Sequence, residues 1–143
     1  MESKNSKVSL IWVIIMVGFA MHMLADMLPA LWGVNIAMPD ATGEAPVGMM
    51  LFMIGMAFFI PMCGLLCMNC RNCKAMRIIN LVLAGVMMLF NIFHASELLM
   101  EFSPVQLLIH PVMVVLGIFL FVYSLRLVKS EDKKKEGRYE KCV

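Results

Sequence analysis

Residues 80–101 read NLVLAGVMMLFNIFHASELLME. The segment is apolar, and at about 1.5 Å per helical residue it is long enough to cross a hydrocarbon core of about 30 Å. It nevertheless carries Asn80, Asn91, His94, Glu97 and Glu101. At about 100° per residue, Asn91, His94 and Glu101 project within about 60° of Asn80, and Glu97 widens that arc. Lipid cannot solvate a polar stripe, so the pattern predicts a membrane helix whose polar edge faces protein or water, with the other helices packed around it.

The rest of the chain has the composition to supply those helices. Of its 143 residues 62% are hydrophobic, well above the roughly 45–50% of a soluble domain, and the mean hydropathy is +0.86. The reading is an all-α, polytopic membrane protein: a four-helix transmembrane bundle over residues 1–130, with spans at about 8–32, 47–67, 75–100 and 105–128, then a charged tail over 131–143. Pro61 predicts a kink in the second span, Ser103-Pro104 breaks the chain before the fourth, and Pro111 falls just beyond that span's first turn. Trp12 and Trp32 are expected at the two headgroup levels of span 1, where indole is favoured. The basic start and apolar run at the N-terminus resemble a signal peptide. The run extends to about Trp32 with no good small-residue cleavage site after it, so the segment is read as a retained helix.

Charge placement gives orientation. The twelve Lys and Arg fall in three clusters: Lys4 and Lys7; Arg71, Lys74 and Arg77; and the run from Arg126 to Lys141. The links at 33–46 and 98–104 hold none, and carry Asp40, Glu44 and Glu101 instead. By the positive-inside rule both termini and the middle link are cytoplasmic, N-in and C-in. The tail KSEDKKKEGRYEK alternates in sign and reads as a solvated, frayed end. No feature points to nucleic acid; the expected surroundings are the lipid bilayer.

Depth singles out a site. By helical rise His22 lies about 20 Å up span 1, His94 about 25 Å up span 3 and His110 about 8 Å down span 4. All three histidines therefore share one layer in the outer third of the membrane. Asp26 follows His22 by one turn, and Glu97 follows His94. The candidate ligand or proton site comprises His22, Asp26, Asn91, His94, Glu97 and His110, with the histidines as ligands or proton carriers, the acids as partners and Asn91 as an orienting hydrogen-bonder. Histidines with carboxylates at i+3 or i+4 suit a divalent metal in a bundle core. Facing histidines suit a haem iron, and the same groups suit a proton relay. Equally, they can hydrogen-bond one another and pin helix packing.

Two further sets of sulfur ligands are present. Among seventeen methionines, Met49, Met53 and Met56 form one face of span 2, Met23 and Met27 pair on span 1, and Met113 lies near them on span 4. Thioethers beside imidazoles suit Cu(I), whereas methionine in apolar bundles is ordinarily a gap filler. Cys63, Cys67, Cys70 and Cys73 are compact enough for zinc or an iron–sulfur cluster if Cys73 turns back on the other three. In a reducing compartment structural disulfides are not expected among the five cysteines, and buried or free thiols are the plainer reading.

Three local motifs carry a resemblance: LADMLPAL at 24–31, FFIPMCGLL at 58–66 and RIINLVLAG at 77–85. They resemble the Ala-Asp segment, the Ile-Pro segment and the Arg-x-x-Asn helix opening of a family of small, uncharacterised four-span bacterial membrane proteins. That family tends to carry an acid and a tryptophan in its last helix; span 4 here has neither. The resemblance implies the topology and draws attention to Asp26, Arg77 and Asn80, without implying an activity.

The functional expectation is binding or movement of a small ligand, metal ion or proton at the histidine layer. Four spans are few for a transporter monomer, so transport implies a homodimer or larger membrane complex. The alternatives are a structural or regulatory membrane subunit with no ligand of its own, and a small quinone- or haem-linked redox protein. No nucleophile-and-base motif supports hydrolysis.

Overall fold

The computed structural model describes the backbone of residues 2–37, 43–44, 46–69, 73–99 and 104–139, and their side chains except at 2–4, 97, 99 and 131–139. Its elements are α1 (Glu2–Met27) with a 3-10 extension (Leu28–Trp32), α2 (Val47–Ile54), a π turn (Gly55–Phe59), α3 (Ile60–Asn69), α4 (Lys74–Ala95) with a 3-10 turn (Ser96–Leu99), and α5 (Gln106–Tyr139). The α2, π and α3 segments are one interrupted rod, giving four helices long and apolar enough to cross a membrane. They form an all-α four-helix bundle in which neighbours in sequence are neighbours in space, and α5 closes the ring against α1.

Three rods bury seams with alternating spacings of three and four. On α1 the buried seam is Val8, Trp12, Ile15, Phe19 and His22; on α4 it is Arg77, Asn80, Ala84, Met87 and Asn91, with His94 next; on α5 it is Gln106, His110, Met113, Gly117, Leu120, Ser124 and Leu127. Such a repeat keeps one face turned to the partners along nearly parallel or antiparallel helices. The polarity gradient is inverted relative to a soluble bundle. Asn80 is 0% and Ser124 1% exposed, whereas Phe93 is 71% and Leu108 76% exposed. Burying amides while exposing large apolar groups is favourable only where the surroundings are apolar, so the chain is a multi-pass membrane protein.

Small residues set the closest approaches. A Cβ on Gly64 of α3 would lie 2.2 Å from the Trp12 ring, and one on Gly18 would lie 2.2 Å from the Met113 sulfur. These glycines let side chains seat directly on backbone, the usual device of membrane helix interfaces.

Several expectations are corrected. Trp12 is not a headgroup anchor: it is fully buried, and its Nε1 donates to Asn80 Oδ1 at 2.8 Å. Trp32 is 76% exposed. In place of a simple kink before Pro61, the turn widens. The Ile60 N–H bonds Gly55 O, five residues back, which relieves the crowding a proline ring imposes on the preceding turn. The extra residue rotates the outer half of the rod, and α2 has no buried residue. Span 3 stops as an α-helix at Ala95, so Glu97 does not continue the α-helical stripe. The Glu97 side chain and all of Glu101 lie outside the described residues, as does Asp40. The fourth rod runs through Pro111 and on to Tyr139, so residues 131–139 extend the helix and are not a frayed end.

Candidate histidine site

Local chain geometry brings the three imidazoles to one end of the bundle. Pro29 ends α1 by removing an N–H and crowding the turn before it, which leaves His22 and Asp26 in the last two turns. Gln106 opens α5 immediately after the Pro104-Val105 turn, with His110 one turn below it. His94 occupies the last turn of α4.

The ring centroids of His22, His94 and His110 form a near-equilateral triangle with sides of 4.7, 5.0 and 4.9 Å. One nitrogen from each lies within 4.8 Å of the others. His22 and His110 are buried, at 8% and 5% exposure, and His94 is half-buried with its ring stacked on Phe90 at 5.5 Å.

The hydrogen bonds fix the tautomers. The Gln106 amide donates to Asp26 Oδ1, so its Oε1 is the atom that faces His22 Nδ1, at 2.5 Å. An amide oxygen only accepts; His22 Nδ1 is therefore the donor, and the neutral ring carries its lone pair on Nε2. The backbone carbonyl of the same residue, Gln106, accepts from His110 Nδ1 at 3.1 Å, which also puts that ring's lone pair on Nε2. His22 Nε2 lies 2.9 Å from His94 Nε2, so His94 donates to it. The second oxygen of Asp26, Oδ2, stands 3.6 Å from His22 Nε2.

Pinning Nδ1 to an acceptor while Nε2 points at a common centre is how proteins orient metal-ligating histidines. Four ligands on a tetrahedral ion with bonds of about 2.0–2.1 Å are about 3.3 Å apart. The 2.9 and 3.6 Å separations around His22 Nε2 bracket that value. Loading an ion requires His94 to shift its proton from Nε2 to Nδ1. Haem does not fit: two axial imidazoles hold their nitrogens about 4 Å apart, twice a bond of about 2 Å. Here the His22 and His94 nitrogens are at 2.9 Å, with the His110 ring about equally close to both imidazoles.

Of the residues singled out by sequence, the structure brings His22, His94 and His110 together, and Asp26 stands beside His22 alone of the three. Asn91 does not orient an imidazole. Its Nδ2 donates to Met113 O at 3.1 Å and ties α4 to α5. Of the methionine set, Met23 and Met53 line one apolar cavity between α1 and the α2–α3 rod, and Met56 is buried. Met23, Met27 and Met49 are 50%, 60% and 52% exposed, and Met113 rests on Gly18, one turn from His22 along α1. Among the described residues Cys63, Cys67 and Cys73 do not form a metal-capable group. Cys63 is exposed on the outer face of its helix, and Cys70 lies outside the described residues. Gln106 is the residue that sequence reading missed. It is uncharged and sits at a span boundary; the available signal was its i, i+4 relation to His110, matching that of His22 to Asp26.

Fold and site together define a polytopic α-helical membrane protein with a trio of histidines clustered inside one end of its bundle. In comparisons with family models, curated proteins and solved structures no match was found, so its function is read from the site's own chemistry.

Proposed function

We propose that this protein binds a transition-metal ion at His22, His94 and His110, in the outer leaflet of a bacterial cytoplasmic membrane. The observation that carries the reading is the convergence of three imidazole nitrogens within 4.8 Å, two of their rings being turned inward by the single residue Gln106. Placement in the outer leaflet rests on charge. Lys7 and Arg126 line one small pocket at the opposite end of the bundle, and the positive-inside rule assigns that end to the cytoplasm with both termini. The bacterial assignment rests on the resemblance of the three motifs to the small four-span bacterial family.

Metal analysis of the full chain purified in detergent is the test. One Zn²⁺ or copper ion per chain is expected after loading and desalting. A His22→Ala/His94→Ala double variant that folds but retains no metal supports the reading; a folded wild type that binds no metal removes it. The hydrogen bond between His22 and His94 favours a second reading, in which the imidazoles only lock helices together and the protein is a structural or regulatory subunit. In that case the double variant loses stability and the metal makes no difference.

A further inference from the structure

Resting on that reading, we infer that Asp26 is the fourth ligand, which makes the centre a closed site of three imidazoles and one carboxylate, for a divalent ion of the zinc class rather than for Cu(I). Asp26 sits one turn beyond His22 on α1, with Oδ2 3.6 Å from His22 Nε2. That separation is too long for a hydrogen bond and close to the spacing of two ligands on one tetrahedral ion. Its other oxygen, Oδ1, takes the Gln106 N–H, so the carboxylate is held for binding through a single oxygen. Ligating carboxylates are commonly supported in this way. Gln106 thus orients His22 through its amide oxygen, His110 through its backbone carbonyl and Asp26 through its amide nitrogen.

The donor set decides the class of ion. Three imidazoles and a carboxylate suit a borderline divalent cation, whereas Cu(I) favours sulfur. Met23 and Met27 are half-exposed or more, and Met113 is seated on Gly18. With four protein donors no position remains open for a substrate, which marks a holding or transfer site and not a hydrolytic one. The Asp26 side chain is 56% exposed, against 10% for His22. Asp26 is therefore the ligand at which the ion enters and leaves.

Co²⁺ is the probe, in the full chain in detergent after chelator treatment. Wild type is expected to take one Co²⁺ with the intense visible bands of a four-coordinate site, and added azide is expected to leave them unchanged. Asp26→Ala opens a coordination position, so its Co²⁺ bands should shift on azide addition. Its Zn²⁺ affinity should fall by more than about 100-fold, the bound for loss of an outer-shell partner, with Cu(I) affinity altered less than about threefold. Asp26→Glu should restore azide resistance. Wild-type bands that respond to azide, or an Asp26→Ala variant with unchanged Zn²⁺ affinity and spectrum, would overturn the fourth-ligand assignment and leave the three-histidine site standing. A folded wild type that takes up neither Co²⁺ nor Zn²⁺ would overturn both.

Discussion

At the basic end of the bundle Trp12, Asn80 and Ser124 form a chain of hydrogen bonds across three helices, at 2.8 Å for each link. At the other end His22, His94, His110, Gln106 and Asp26 form a second polar layer across the same three helices. Both layers occupy the three-four seams, and both bury polar atoms in an apolar surround. They differ in what the atoms have left to give. Trp12 has one polar atom, and it is spent on Asn80; the amide of Asn80 bridges indole to hydroxyl. In the histidine layer Nδ1 of His22 and of His110 is bonded to Gln106, and one nitrogen from each of the three rings lies within 4.8 Å of the others. The first layer has the form of a fastening, and the second has that of a holder. A polar residue inside a membrane bundle is informative only once its partners are known, because the same burial accompanies both roles.

Breaking the first layer should affect stability alone. Trp12→Ala removes the largest fully buried side chain and leaves a cavity beside Gly64. A loss of about 3–5 kcal/mol is expected, read by reversible unfolding in mixed detergent, with metal stoichiometry unchanged in the folded fraction. The second layer should instead confer a ligand-dependent stability. Free Zn²⁺ at about 100 times its Kd is expected to stabilise the wild type by about 2.7 kcal/mol. That increment should persist in variants of the first layer and vanish in His110→Ala. Gln106→Leu keeps every ligand and the backbone carbonyl that holds His110, but frees the His22 imidazole and the Asp26 carboxylate; Zn²⁺ affinity should fall about 10- to 100-fold, by competition with a chromophoric chelator. The smallest effect is expected for Ser124→Ala, about 0.6 kcal/mol, because the lost bond is a single link between neutral groups. If Ser124→Ala altered Zn²⁺ affinity, the two layers would be coupled and the distinction between them would fail.

Much of the fold was legible in the residues. Four apolar runs separated by proline, glycine and charge dictate four membrane-length helices, and a polar stripe from Asn80 to His94 must turn inward because lipid offers it no hydrogen bonds. The convergence of His22, His94 and His110 was legible as a matter of depth, since helical rise converts sequence position into height. Height does not fix azimuth or partner. Only packing decided that Trp12 faces Asn80 and not headgroups, that Asn91 serves the Met113 carbonyl, and that the turn before Pro61 widens and rotates α2 out of the core. Only packing made Gln106 the residue that aims two imidazoles and a carboxylate. Helical periodicity is a local property carried by each segment alone, whereas a tautomer, a ligand distance or a hydrogen-bond partner depends on residues as many as 84 positions apart and exists only after the helices have met.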